Sequence, residues 1–232
     1  MRSRLCGTGN KQTKREEEDE LDNVCERMGE SMNEMFLMHE RTIIQPFKQH
    51  KYRTFVDVGA GQGRWIFDLQ ENCEKIIAVE PAQFMELESN IKEWGCEDHV
   101  KVHRNVVGRQ NGLKEGGLYV HEHRDYSTML ATHPERDVKY ERRDTVYMKT
   151  LDDLLADEES VDLIKIDTEG YELEILHGAM DTIAKHNPMF VIECHTPFNL
   201  CMIDRVMEES HVIYSGSAYC LGHMYACKTG KG

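Results

Sequence analysis

Four apolar runs in this sequence break off into groups that can do chemistry. Phe55-Val56-Asp57-Val58 runs into Gly59-Ala60-Gly61-Gln62-Gly63, and Ile76-Ile77-Ala78-Val79 stops at Glu80-Pro81. Leu163-Ile164-Lys165-Ile166 ends on Asp167 with Glu169 close behind, and Met189-Phe190-Val191-Ile192 ends on Glu193 and, past Cys194, His195. Charged groups closing otherwise apolar strands are hard to account for as core. A set of carboxylates with one imidazole can take a proton from a hydroxyl or hold a divalent cation. Glycines at alternate positions after a strand form a tight turn that lets the backbone approach a nucleotide-like ligand.

Which ligand suits the turn depends on what surrounds it. The dinucleotide fingerprint wants a third glycine where Arg64 stands. Asp57, two residues before the first glycine, would repel a pyrophosphate but attract the ammonium and nearby sulfonium of S-adenosylmethionine. Glu80, at the second strand end, is placed to accept both hydroxyls of a ribose, as acids do in either cofactor class. The expected cofactor-binding set is therefore Asp57, Gly59, Ala60, Gly61, Gly63, Glu80 and Pro81, with Asp167 at the later strand end. The other reading is a structural glycine turn with two incidental acids.

The elements that must position these residues follow in order. Trp65, Ile66, Phe67 and Leu69 continue into a helix, residues 84–93 form another, and 100–103 a third strand. Asn105 falls just past that strand, either at the adenine edge or in a turn. Residues 108–147 leave the rhythm with Gly112, Gly116 and Gly117 and read as a hairpin with a long loop, whose Arg124, Asp125, Tyr126, Ser127, His133 and Arg136 make it the expected acceptor-recognition segment. Thr150 or Asp152 caps a further short helix. One helix is expected over 171–186, ended by Pro188, another over 200–209, and short strands at 211–215 and 223–228. This alternation indicates an α/β, doubly wound, mostly parallel sheet with all the reactive groups at one edge.

The remainder bounds the chain. Its 232 residues suit one domain with an N-terminal extension. Residues 1–45 form that extension, first a disordered charged lead-in and then, from Leu21 to His39, a helix with an apolar stripe at three- and four-residue spacing. Residues 46–232 form the catalytic domain. The stripe packs on the core or serves as a lid or homodimer contact. A net charge of −14 argues against a general nucleic-acid or membrane-surface binder. No run approaches the roughly 20 apolar residues that span a bilayer, and no secretory signal opens the chain. Eight scattered cysteines without a Cys-x-x-Cys pair fit buried thiols in a reduced, cytoplasmic setting.

The motifs at 55–63, 79–81, 161–179 and 191–195 together resemble the FkbM family of class I methyltransferases that use S-adenosylmethionine. The most specific part is Lys165-Ile166-Asp167-Thr168-Glu169-Gly170-Tyr171-Glu172. The resemblance covers about 53–228. It implies a Rossmann-like seven-stranded sheet with an antiparallel last strand, and O-methylation of a hydroxyl on a sugar, glycan or small natural product. For the chemistry itself the residues leave two arrangements open. His195 acts as a general base oriented by Glu193, since residues two apart on a strand share a side. Alternatively Asp167 and Glu193, with His195 or Glu169, hold Mg²⁺ or Mn²⁺, which lowers the hydroxyl pKa. Lys165 is catalytic or, facing the same side as Asp167, a structural ion pair. Glu169, with Tyr126 and Ser127, is an expected substrate contact or else a helix cap. An RNA 2′-O-methyltransferase using Arg136, Lys139, Arg142 and Arg143, and a cofactor-binding module without turnover, are the competing functions.

Overall fold

The computed structural model describes residues 43–121, 127–130, 139–195, 197–209, 214–220 and 223–228. The stripe over 21–39 lies outside them. Residues 43–49 fall in a unit apart from the one that begins at His50, and they include a 3-10 turn, Phe47–Gln49. No described helix is long and apolar enough to cross a membrane.

From His50 onward the strands in chain order are β1 (Tyr52–Val58), β2 (Cys73–Val79), β3 (Val100–His103), β4 (Val106–Val107), β5 (Gly112–His121), β6 (Tyr140–Lys149), β7 (Leu163–Ile166), β8 (Met189–Cys194), β9 (Tyr214–Cys220) and β10 (His223–Lys228). The helices are α1 (Arg64–Leu69), α2 (Phe84–Trp94), α3 (Leu151–Leu154), α4 (Glu172–His177), α5 (Met180–His186) and α6 (Pro197–Glu209). The main sheet has seven strands in the order β3-β2-β1-β7-β8-β10-β9. The pairs from β3 to β8 are parallel, and β10 runs antiparallel to both neighbours. This agrees with the seven-stranded sheet and antiparallel last strand that the resemblance implies, and strand order reverses between β1 and β7. A crevice opens at the carboxyl ends of such a reversal, where doubly wound sheets bind ligands.

The central strands are buried on both faces, as parallel strands under helices must be. All four residues of β7 are buried, although one of them is a lysine. Val56, Val58, Ile77, Ile164, Ile166, Phe190 and Ile192 from the strands meet Leu176, Ile183 and Ile203 from the helices in one core. Gly95, at φ 68°, stops α2 by returning its N–H to Ile91 and Lys92 carbonyls.

The 108–147 segment does form a hairpin. β5 and β6 pair antiparallel with a register shift between Lys114 and Leu118, and β4 joins β6 in parallel. Val106, Leu118, Val120 and Met148 with Ala82 form its separate apolar cluster. The single helix expected over 171–186 is instead two. A Cβ at Gly178 would stand 2.1 Å from the Gly108 carbonyl oxygen, so the chain passes too close to the hairpin's base for a side chain, and α4 ends there. Asp152 then caps the new helix start, accepting from Thr182 N at 2.7 Å and Asp181 N at 3.3 Å. The cap of α3 is Thr150, which accepts from Asp153 N at 3.1 Å.

Candidate active site

The glycine bend follows β1 directly. Gly59, Gly61 and Gly63 have φ of 73°, 53° and 91°, a region that costs other residues about 1–3 kcal/mol. A Cβ on Gly59 would fall 1.7 Å from the Asp167 carbonyl oxygen, so the bend lies flat on the end of β7. Glu80 fastens its far side, accepting from Gly61 N at 2.9 Å, Ala82 N at 2.6 Å and Gln83 N at 2.9 Å. A carboxylate has about four acceptor sites, so the backbone uses three of them. The expectation that Glu80 accepts both ribose hydroxyls is thereby corrected, since one lone pair is left for a ligand.

Asp57 and Lys165 are register partners on β1 and β7. Asp57 is 1% exposed, and burial pushes its carboxyl above the usual range, opposed by the neighbouring Lys165. Lys165 Nζ donates to Gly59 O at 2.7 Å and lies 3.4 Å from Asp57 Oδ1 and 3.3 Å from Asp167 Oδ2. Three partners match the three donors of an ammonium. Asp57 therefore already has a cation from its own chain, and the lysine ties the first strand end, the bend and the seventh strand together.

Beyond β7 and β8 the acids gather round one imidazole. Asp167, Glu193 and His195 each offer a ligand atom within 4.8 Å of the others. His195 Nδ1 lies 3.0 Å from Glu172 Oε1. Its Nε2 is 3.3 Å from Glu169 Oε2, 3.9 Å from Glu193 Oε1 and 3.9 Å from Asp167 Oδ1. Burial by itself would lower the imidazole pKa, but the hydrogen bonds and charges of Glu169 and Glu172 outweigh it and push it up to about 12. Carboxylates thus face both ring nitrogens, and Glu172 rather than Glu193 is the acid that holds the ring.

Glu172 has no exposed surface and is heavily engaged, accepting from Thr168 N at 3.2 Å, Gly170 N at 2.9 Å and, at Oε2, Asn199 Nδ2 at 3.1 Å. The Glu169 backbone adopts φ 53°, rare for a residue with a side chain. Thr128 Oγ1 donates to its carbonyl at 2.8 Å. The Tyr140 hydroxyl is shielded from solvent with no hydrogen-bond partner among the described residues.

The structure thus brings Asp57, Gly59, Ala60, Gly61, Gly63, Glu80, Lys165, Asp167, Glu169, Glu193 and His195 to one edge. Asn105, half-buried, donates to Tyr147 O at 3.1 Å, a turn role rather than a free adenine contact. Ser127 Oγ accepts from His121 N at 3.3 Å, closing the hairpin. Tyr126, Arg124, Asp125, His133 and Arg136 lie outside the described residues. Of the basic group proposed for RNA, Arg142 pairs with Asp144 at 3.0 Å, and Arg143 donates to Gly116 O at 2.8 Å while covering the Tyr119 ring. Sequence reasoning assigned no role to Glu172, Asn199, Thr128 or Tyr140. Glu172 was within reach, being the last residue of the most specific motif.

Residues 57–210, more than half the chain, match the family model described as the methyltransferase FkbM domain. A solved FkbM methyltransferase from Methylobacillus flagellatus superposes with a TM-score of 0.57 at 18% identity, over 75% of this chain and 43% of that one. The chain therefore spans less than half the length of that relative. A Methanobacterium thermoautotrophicum structure described as precorrin 8w decarboxylase gives 0.51 at 13% identity, covering 84% and 90%. The METTL16 methyltransferase domain gives 0.50 at 12%, covering 86% and 68%. At these identities the superpositions speak for the fold alone. No curated protein sequence matches. On the strength of the domain match, the chain belongs to the FkbM methyltransferase family.

Proposed function

We propose that this chain is an S-adenosylmethionine-dependent O-methyltransferase that acts on a hydroxyl of a sugar, glycan or small natural product. The observation that carries the reading is the contact between the glycine bend and the end of β7, where Gly59 has no room for a Cβ beside Asp167. It makes the cofactor loop and the Asp167–Glu193–His195 cluster a single continuous surface.

The residues present fit the cofactor. Asp57, near the end of β1, adds a carboxylate beside the bend, already faced by Lys165 at 3.4 Å. Glu80 Oε2 keeps one lone pair for a ribose hydroxyl. The space over Gly61 is open, with nothing nearer to an added Cβ than Gln83 Nε2 at 3.9 Å. When bound, the cofactor supplies an electrophilic methyl on a sulfonium.

The chain's own part is to orient an acceptor oxygen and receive its proton. With both His195 nitrogens facing carboxylates, the proton acceptor is a carboxylate, and Asp167, with a quarter of its side chain exposed, is the most accessible of them. A cation that displaced the His195 Nε2 proton would be held by Asp167, Glu193 and His195, a donor set that fits Mn²⁺ or Mg²⁺, with Glu172 fixing the ring from behind. A cation there would lower the acceptor hydroxyl's pKa.

The test is an acceptor screen with labelled methyl donor over sugars, polyketides and capped RNA, with and without Mn²⁺, alongside calorimetry of S-adenosylhomocysteine and NAD. Binding of the homocysteine derivative, no binding of NAD, and label on a neutral hydroxyl compound is the expected result. NAD binding in its place would end this reading.

A further inference from the structure

Glu169 is held in place by a neighbour from another part of the chain. Its φ of 53° is a conformation that persists in a residue with a side chain only when surrounding contacts impose it. Two contacts do so. Glu172 Oε1 accepts from the next backbone N–H, that of Gly170, at 2.9 Å. Thr128, reaching across from the hairpin, donates its hydroxyl to the Glu169 carbonyl at 2.8 Å. Thr128 is itself anchored, being 1% exposed and exchanging backbone hydrogen bonds with Tyr119 on β5 at 2.9 and 3.0 Å. The consequence is directional: with the backbone so turned, Glu169 Oε2 stands 3.3 Å from His195 Nε2, nearer than Asp167 or Glu193.

We propose that Thr128 is a positioning residue through which the β5–β6 hairpin aims Glu169 at His195 and so controls the Asp167–Glu193–His195 cluster. This rests on the cation-assisted reading above. The cluster is complete only while the hairpin is docked on the 169–170 bend, which ties the segment expected to recognise the acceptor to the groups that activate it. Thr128 acts through Glu169.

The test uses the full chain and Mn²⁺, followed by electron paramagnetic resonance in the presence of S-adenosylhomocysteine. Thr128→Val, which keeps shape and loses the hydroxyl, weakens Mn²⁺ binding about tenfold, in the range of outer-shell contacts, while S-adenosylhomocysteine affinity stays at the wild-type value. Thr128→Ser restores Mn²⁺ binding. The double variant with Glu169→Gln binds no more weakly than Glu169→Gln alone, because residues acting as one unit are not additive. Wild-type Mn²⁺ affinity in Thr128→Val, or losses that add in the double variant, overturn the proposal. If the wild type binds no Mn²⁺, the cation reading fails, and the His195 imidazole resonances of the metal-free protein decide the positioning role. The same displacement in Thr128→Val and Glu169→Gln sustains it, and an unmoved imidazole in Thr128→Val overturns it.

Discussion

Glu172 Oε1 lies 3.0 Å from His195 Nδ1, and this acid from the start of α4, with no exposed surface, holds the ring at the end of β8. Replacing it with Gln keeps the shape but removes the charge. The stability to urea should fall by about 1–3 kcal/mol, as for a buried partner left mismatched, and His195 should titrate below its wild-type value. Asn199→Ala, which removes the 3.1 Å bond to Glu172 Oε2 and a 3.4 Å bond to Gly170 O, should cost about 1 kcal/mol. Equal losses in the two variants would contradict the central place of Glu172.

The high His195 pKa makes a pH prediction with a definite sign. The folded value, about 12, lies above the ordinary 6.5, so the stability this ring contributes is fully present below about pH 6.5 and is lost as pH rises toward the folded value. Its slope is at most about 1.4 kcal/mol per pH unit. Denaturation of the metal-free protein at increasing alkaline pH should show the wild type losing stability faster than His195→Gln. Parallel profiles would mean that the ring is neutral at pH 7.

Lys165→Met removes the ammonium that stands opposite Asp57, a carboxylate 1% exposed, and loosens the bend that its 2.7 Å bond to Gly59 O secures. Breaking a buried pair by one partner typically costs about 3–5 kcal/mol. Chemical denaturation measures the loss, and S-adenosylhomocysteine calorimetry should show binding gone. A stable variant with intact binding would relegate this lysine to packing.

Gly59 and Gly61 should respond differently to alanine. At Gly59 the new Cβ meets the Asp167 carbonyl, whereas at Gly61 it enters open space and only the φ of 53° is unfavourable. Gly59→Ala should lose more than about 2 kcal/mol, strain and overlap together. Gly61→Ala should lose about 1 kcal/mol yet bind S-adenosylhomocysteine poorly, because its methyl occupies the loop's open side. Thermal melts and calorimetry separate the two effects.

The sequence by itself determined the class of the fold and the edge on which the chemistry sits. Period and composition are local: β-branched runs such as 161–166 form strands wherever they lie, glycine triplets bend, and an alternating chain must place the strand ends together. That reasoning brought Asp57, Glu80, Asp167, Glu169, Glu193 and His195 to one edge without coordinates, and the motif at 165–172 suggested the family. Only the tertiary structure decided which partner each group has. Glu172 reads along the chain as an ordinary acid in the first turn of a helix, and it meets His195 because α4 folds back across the end of β8. Asp57 looked like a free anion for the cofactor's ammonium until β7 paired with β1 and set Lys165 opposite it. The break at Gly178 came from a backbone approach at Gly108, about seventy residues earlier, which no window of sequence contains. Hydrogen-bond assignment and the pKa of His195 depend on distances of about 3–4 Å between residues far apart in the chain, and such distances are set by packing alone.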